Sequence, residues 1–246
     1  MTLPVYLDQD LAEGTQAVLA GEEAHHAHVK RTAVGEQIDI VDGRGTRVTV
    51  EVTEAGQKSL AGTVLSRTVD PAPAHPITLV QALAKGGRDE AAVESAVEVG
   101  VLGIVPWQAD RSIVRWAGPK AAKGVAKWQQ VAAGAMKQSR QSHLPHVSDV
   151  VTTKMLAEKV RETVAAGGRI FICHETATEP LAGKEIGSPG PIWIIVGPEG
   201  GVSAAELEML VEAGGEPVLL GRSVLRSGTA GTAAATVLQV TTGHWR

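Results

Sequence analysis

The stretch 192–201, IWIIVGPEGG, decides the fold of this chain. In its first half, Ile192–Val196, every residue except Trp193 is β-branched and apolar, which is typical of a strand buried on both faces of a parallel sheet. The glycines and the proline of the second half end the strand, and Ser203 with Glu206 three residues later forms a capping box that predicts a helix start. Because the amide groups of that helix face the glycine turn, the sequence predicts a ligand site there.

Length and composition narrow the class of protein. The chain has 246 residues and 43% hydrophobic content, enough for one large or two modest domains with a real core. Residues 1–10 carry no basic stretch followed by an apolar run, and no segment approaches the roughly 20 apolar residues of a membrane helix, so we expect a cytoplasmic protein. The single cysteine, Cys173, excludes an intramolecular disulfide and a cysteine-clustered zinc site, and we expect its thiol to be inert.

Residues 1–72 are predicted to form a small β domain. Gln37–Val41 and Arg47–Val52 flank the turn Asp42-Gly43-Arg44-Gly45, which is a hairpin signal, and a further strand is expected at Leu60–Leu65. Short strands at this spacing indicate a compact barrel or sandwich.

A histidine-rich segment, HHAHVKR at 25–31, precedes the hairpin. Three histidines in four residues allow a metal site, but no carboxylate or cysteine pattern completes one, and we therefore predict no metal. A solvated helix end, or a phosphate-binding surface that includes Lys30 and Arg31, explains the segment better.

The proline-rich segment 70–76, DPAPAHP, favours an extended linker and sets the predicted boundary between domains 1–72 and 73–246. After it, strands and helices alternate, which predicts an α/β domain with a mostly parallel sheet. The predicted strands are Ile77–Leu83, Gly103–Trp107, Arg169–Cys173, Ile192–Val196 and Pro217–Leu220. The predicted helices are Arg88–Val99, Pro119–Gln138, Ser203–Ala213 and Thr229–Val240.

Basic residues concentrate in parts of this second domain although the net charge of the chain is −4. Lys120, Lys123 and Lys127 fall within about 60° on the wheel of one predicted helix. An ordinary solvated face would also explain such a stripe, but further cations near predicted strand ends favour a polyanionic partner. The candidate RNA-contacting residues are Lys30, Arg31, Lys85, Arg88, Arg111, Lys120, Lys123, Lys127 and Arg140.

The motifs that are absent from the sequence limit what the glycine turn can bind. The chain has no GxGxxG after its first strand, no GxxxxGK[ST], no GxSxG and no HExxH, so a dinucleotide site, a P-loop and covalent hydrolysis are not supported. The remaining possibility is a ligand held mainly by backbone groups, since free amides and carbonyls beside glycine can hydrogen-bond the edge of a purine. A nucleoside-like ligand fits this description.

The sequence has a family resemblance that spans nearly the whole chain. The sequence resembles the 16S ribosomal RNA (uracil-N3)-methyltransferase family of the SPOUT superfamily. The motifs that carry it are ALAKGGRDE (82–90), EVGVLGIVPWQADRS (98–112), MKQSRQSHLP (136–145), GPEGG (197–201) and LLGRSVLRSGTAG (219–231). The resemblance implies a PUA-like barrel for RNA, an α/β domain with a C-terminal trefoil knot, a homodimer, and methylation of N3 of one uridine in small-subunit ribosomal RNA.

The resemblance also implies which residues bind S-adenosylmethionine. They are His174, Glu175, Val196, Gly197, Glu199, Gly200, Gly201, Leu220, Gly221, Ser223, Val224, Leu225 and Thr229, with Arg226 in the same wall. Core packing is the alternative for Val224 and Leu225. For catalysis, Arg111 or Arg226 would stabilise the uracil anion, and Glu199 or water would accept its proton.

Two positions depart from the family pattern, because Gly228 and Lys137 stand where many members carry acidic residues. Two other functions therefore stay open: a non-catalytic RNA-binding assembly protein, and a related SPOUT enzyme that modifies another RNA or a ribose hydroxyl. The small residues of Thr229–Ala235 would permit close helix packing in a dimer.

Overall fold

Strand β11, Ile192–Val196, lies inside a parallel sheet, as its apolar sequence predicts. It pairs in parallel with β10 (Arg169–Cys173) on one side and with β6 (Ile77–Ala82) on the other. Ile194 sits opposite Phe171 and Leu79, and all three side chains are fully buried. Because both faces of the strand are covered, an uninterrupted apolar run is the sequence that this position requires.

The structure is a computed structural model that describes residues 3–245. Its residues divide into two units. The first contains the residues up to Ala72 together with Met136–Leu144, and the second contains Pro73–Ala135 and the residues from Pro145 onwards. Within the described residues, no helix is long and apolar enough to cross a membrane.

The second unit has a seven-stranded sheet whose described pairings are all parallel. The main strand order is β12-β10-β11-β6-β7-β8, and β9 also pairs with β7. Besides the three strands above, its strands are β7 (Gly103–Gln108), β8 (His146–Val147), β9 (Val151–Thr152) and β12 (Glu216–Val218). The helices are α2 (Arg88–Glu98), α3 (Pro119–Gln138), α4 (Thr153–Ala165), α5 (Ala204–Glu212) and α6 (Ser227–Thr241), and the last three residues of α3 belong to the first unit. The predicted α/β architecture with a parallel sheet is confirmed.

One predicted strand ends early, and the reason lies in its neighbours. The prediction extends to Leu220, whereas β12 ends at Val218. The amide of Leu219 donates to the carbonyl of Glu179 at 2.9 Å, and the amide of Leu181 donates back to the carbonyl of Leu219 at 3.0 Å. Leu219 therefore pairs with a loop rather than with the sheet, and the chain is free to turn away after it.

The small residues at the start of α6 face the interior of their own unit. Ala230, Gly231, Ala234 and Ala235 are buried, and a Cβ added at Gly231 would lie 2.8 Å from Cδ1 of Leu79. Close packing of α6 on β6 thus explains these small residues. The homodimer stays a prediction, but these four buried residues are not available to a second copy of the chain.

The first unit is built on a five-stranded sheet of order β1-β3-β4-β5-β2. Its elements are β1 (Val5–Leu7), β2 (Gln16–Ala20), α1 (Gly21–Val29), β3 (Gln37–Val41), β4 (Thr46–Ala55) and β5 (Ser59–Val69). The predicted hairpin is present, with Ile38 opposite Val50 and Ile40 opposite Val48. Side chains from all five strands and from α1 share one apolar core, so the sheet curls around it.

Residues 136–144 belong to this first unit although in sequence they lie between the two parts of the second unit. Arg47 anchors them, because its guanidinium donates to the carbonyl of Arg140 at 2.8 Å and forms an ion pair with Asp39 at 2.9 Å. The hydroxyl of Ser142 also donates to Asp70 at 2.5 Å. A short segment distant in sequence is thereby held by one exposed and one partly buried hydrogen bond.

Lys137, one of the two departures from the family pattern, forms an ion pair with Glu23 in α1. The side chains of Lys137 and Glu23 are only 15% and 21% exposed. A cation therefore suits this position because a carboxylate lies beside it.

Candidate active site

A cavity of about 920 Å³ opens where β10, β11 and β12 end. Strands of a parallel sheet all present their carboxyl ends at one edge, which is the edge where α/β proteins bind ligands. The loop after β10 brings His174, the loop after β11 brings 197–201, and the loop after β12 brings 219–226. Ser227 and the first turn of α6 close the cavity. The two glycine-containing motifs thus meet in space, as the sequence predicts.

Two glycines of the GPEGG turn have little room for a side chain, and the third has a backbone conformation that favours glycine. A Cβ on Gly197 would lie 2.7 Å from Cγ2 of Val202, and one on Gly200 would lie 3.2 Å from Cβ of Arg111. Gly201 has φ +74°, which L-residues with side chains rarely adopt. The capping box predicted after the turn is present: the Ser203 hydroxyl accepts from the amide of Glu206, whose carboxylate accepts from the amide of Ser203.

The opposite wall is apolar. Leu220, Val224 and Leu225 line it, and Val224 and Leu225 are 78% and 38% exposed. Exposed apolar side chains beside a cavity are available to a flat hydrophobic ligand such as a purine ring. Core packing, the alternative for Val224 and Leu225, is therefore wrong.

Four arginines and two glutamates among the described residues line the cavity. The guanidinium Nη1 of Arg111 donates to the carbonyl of Gly200 at 2.9 Å, which holds this arginine at the mouth. Nη1 of Arg88 pairs with Oε1 of Glu199 at 3.1 Å. The excess of positive charge favours an anionic group beside the cavity.

Family models match both parts of the chain. The RNA methyltransferase domain family matches residues 70–239, and the RNA methyltransferase PUA domain family matches residues 19–65. Ribosomal RNA small subunit methyltransferase E of Mycobacterium tuberculosis is 39% identical over 98% of this chain and 92% of its own length. This chain belongs to that methyltransferase family. The protein of the same name from Bacillus subtilis is 28% identical over 90% of this chain and 89% of its own length.

Solved structures of family members have the same fold. Ribosomal RNA small subunit methyltransferase E of Neisseria gonorrhoeae, bound to S-adenosyl methionine, covers 97% of this chain and 98% of its own at 27% identity and a TM-score of 0.85. A methyltransferase from Legionella pneumophila, also in complex with bound S-adenosylmethionine, covers 98% of both chains at 26% identity and a TM-score of 0.84. The predicted family, enzyme class and cofactor are thereby confirmed.

The cavity fits the family's cofactor in size and lining. Its volume lies in the range of about 300–1,000 Å³ typical of small-molecule sites, and it combines a backbone-lined turn with an apolar wall. Of the residues predicted to bind the cofactor, only Thr229, an exposed residue in the first turn of α6, is absent from the lining. The predicted residues that line it are His174, Glu175, Val196, Gly197, Glu199, Gly200, Gly201, Leu220, Gly221, Ser223, Val224 and Leu225.

The residues predicted to bind the cofactor do not include several that line the cavity, among them Thr176, Arg222, Ser227 and Gly228. The hydroxyl of Thr176 hydrogen-bonds Nδ1 of His174 at 2.9 Å. Ser227 donates to the carbonyl of Gly197 at 2.8 Å and so joins α6 to the GPEGG turn. Serine and threonine occur in many loops, so nothing in their spacing separates these two from others.

The basic residues predicted to contact RNA lie in different settings. Lys85, Lys120 and Lys123 are exposed, whereas Lys127 pairs with Glu90 at 2.6 Å. Arg88 and Arg111 line the cavity. The remaining three lie in the first unit, at Lys30, Arg31 and Arg140, and all three are exposed.

The histidine-rich segment forms the end of α1. His25 and His28 are exposed, and the ring of His26 packs edge-on against Tyr6 with the centroids 5.8 Å apart. Burial, followed by the charges of Lys30 and Lys137, lowers the pKa of His26, so this ring is neutral at pH 7. Within residues 3–245, no group of three or more histidine, cysteine or acidic side chains is placed to hold a metal.

The thiol of Cys173 lines the cavity at the end of β10. Burial raises its pKa to about 12, so it is protonated at neutral pH and cannot serve as a nucleophile.

Proposed function

We propose that this chain methylates N3 of a specific uridine in 16S ribosomal RNA, with S-adenosylmethionine as methyl donor. The observation that carries the proposal is the cavity at the end of β11, which is lined by the GPEGG turn, by apolar side chains of residues 219–225 and by four arginines. Relatives that share the chain's full length carry the name of a small-subunit ribosomal RNA methyltransferase.

We propose that the cofactor occupies the cavity between the GPEGG turn and residues 219–225. Leu220, Val224 and Leu225 would cover the adenine, while backbone groups of the turn hydrogen-bond the polar atoms. When bound, the cofactor supplies an electrophilic methyl group on its sulfonium.

The charge of the target base sets what the protein must supply. N3 of neutral uridine carries a proton, and its loss places negative charge on the O2 and O4 side of the ring. Arg111 and Arg226 line the cavity mouth and would stabilise this charge electrostatically. Glu199 or water would accept the proton, and the ion pair with Arg88 holds that carboxylate beside the cavity.

We further propose that residues 1–72 form a PUA-like domain that contacts RNA together with the exposed basic residues of the chain. Residues 73–246 would form the methyltransferase domain, with the chain threaded into a trefoil knot around the cofactor site. A cytoplasmic homodimer is the state that we expect from the family resemblance.

Mass spectrometry of digested 16S ribosomal RNA tests the reaction. RNA from a strain without the gene should lack N3-methyluridine, and the purified protein with S-adenosylmethionine should restore it in small subunits. Loss of a different modified nucleoside would show a different substrate, and failure to bind S-adenosylmethionine in calorimetry would favour a non-catalytic assembly protein.

Two substitutions test the assigned roles. Arg111→Ala and Arg226→Ala should bind S-adenosylmethionine within about threefold of the unmodified protein and lose at least about 100-fold in methylation rate, the scale expected when a charge-stabilising group is removed. Glu158→Ala, which removes an exposed charge from α4 of the second unit, is the control. Full activity of both arginine variants would refute the mechanism.

A further inference from the structure

Glu206 is a buried carboxylate at which three parts of the second unit meet. Its residue surface is 2% exposed. Oε2 accepts from the amide of Ser203 at 3.0 Å, and Oε1 accepts both from the amide of Asp110 and from the hydroxyl of Thr153, each at 2.8 Å. The carboxylate thus joins the start of α5 to the loop after β7 and to the start of α4.

Helix capping explains only part of this arrangement. A capping box needs one bond from the side chain at the third helical position to the N-cap amide, and glutamine serves there as well as glutamate. Two further donors converge on the other oxygen of Glu206, and the Trp107 indole in turn donates to Thr153 at 3.2 Å. Burial raises the pKa of Glu206, but hydrogen bonds from Ser203, Asp110 and Thr153 outweigh it, and the pKa is lowered. The ionised form is therefore the one that the site holds.

The residue whose amide Glu206 accepts, Asp110, comes directly before Arg111, which lines the cavity. Asp110 precedes Arg111, and the carbonyl of Asp110 accepts from Nη2 of Arg115 at 2.7 Å while its amide is held by Glu206. Both sides of this residue are thus fixed. Arg111 then reaches back to the carbonyl of Gly200 in the GPEGG turn at 2.9 Å. The direction of the Arg111 guanidinium depends on a backbone that the buried carboxylate secures.

We propose that Glu206 is a positioning residue for methyl transfer: it holds the Asp110 amide so that Arg111 faces the reacting base. This inference rests on the proposed function. The carboxylate does not line the cofactor cavity, so it acts through Arg111 and leaves cofactor binding unchanged.

A double-mutant cycle with Glu206→Gln and Arg111→Ala tests the proposal in the full-length protein. Glutamine keeps the cap but turns an amide group toward one of the three donors. Glu206→Gln should lower kcat for small-subunit methylation by about 10- to 100-fold, the effect of a misplaced catalytic group, with the KM for S-adenosylmethionine unchanged within about twofold. The double variant should be no slower than Arg111→Ala alone, because the carboxylate acts only through that arginine. Additive losses, or normal kcat in Glu206→Gln, would overturn the proposal.

Hydrogen exchange provides a readout that does not depend on activity. In Glu206→Gln the amide of Asp110 should exchange faster than in the unmodified protein, whereas a role limited to capping would accelerate only the first turn of α5. Glu208→Gln, on an exposed side of the same helix, is the matched control and should change neither measurement. If Glu206→Gln fails to fold, Glu206→Asp keeps the charge with a shorter reach and should show the same changes to a smaller extent. An unmodified protein without methylation activity would refute the proposed function, and an unchanged Asp110 amide would refute the positioning role.

Discussion

The hydroxyl of Ser227 joins three elements around the cofactor cavity, and its removal is the most informative stability test. It donates to the carbonyl of Gly197 at 2.8 Å and accepts from Nε2 of Gln81 at 3.0 Å. Gln81 lies at the end of β6 and is fully buried. Its Oε1 has no hydrogen-bond partner within the described residues, so the side chain depends on the bonds of its nitrogen.

Ser227→Ala should lower the free energy of unfolding of the second unit by about 2–3 kcal/mol. One buried N–H of Gln81 loses its acceptor, at a cost of about 1–2 kcal/mol, and Gly197 loses a donor at about 1 kcal/mol. Nε2 of Gln81 keeps its bond to the carbonyl of Ala82 at 3.2 Å, which limits the loss. For a unit of this size the midpoint of thermal unfolding should fall by about 4–12 °C.

Differential scanning calorimetry measures the change, and the transition of the second unit is the one to follow because two units need not unfold together. Thr229→Ala, at an exposed site of the same helix turn, is the control and should shift the midpoint by less than about 2 °C. The double variant Gln81→Leu with Ser227→Ala should lose less free energy of unfolding than the two single variants lose together, because no buried donor is left unpaired. A midpoint unchanged by Ser227→Ala would refute the reasoning.

Two further predictions concern charge. Lys137→Glu introduces the acidic residue common in the family but places it against Glu23, so thermal unfolding should show a loss of about 1–3 kcal/mol in the free energy of unfolding. The double variant Glu23→Lys with Lys137→Glu should recover most of this loss, and a double variant that is equally unstable would contradict the ion pair. Although burial raises the pKa of Glu206, its hydrogen bonds lower it below the ordinary glutamate value of 4.5, so its contribution to stability is fully present above pH 4.5 and is lost as pH falls through the lower folded value. Glu206→Gln should therefore flatten the decline in unfolding free energy as pH falls below 4.5, and denaturant titrations that fall equally steeply in both proteins would contradict this.

Much of the site was predictable because it is built from local backbone features. An apolar β-branched run followed by GPEGG can form a buried strand and a bare turn whatever surrounds it, and the capping box at Ser203 is a contact within one helical turn. The same holds for the hairpin of β3 and β4 and for the helix Pro119–Gln138, whose predicted bounds the structure reproduces.

Tertiary structure decided what no local pattern encodes. The burial of the small residues of α6 depends on Leu79, about 150 positions earlier in the chain, and the placement of 136–144 in the first unit depends on Arg47. Periodicity reports which side of a helix is apolar, but not which element covers it.

The sequence by itself determined the strand, the turn and the types of side chain at the site, because backbone preferences act over a few residues. Only the tertiary structure decided that Glu206 holds Asp110 and that Ser227 ties α6 to Gly197, since these hydrogen bonds join residues 96 and 30 positions apart. A buried polar group must find a partner, yet its own sequence neighbourhood does not specify which one.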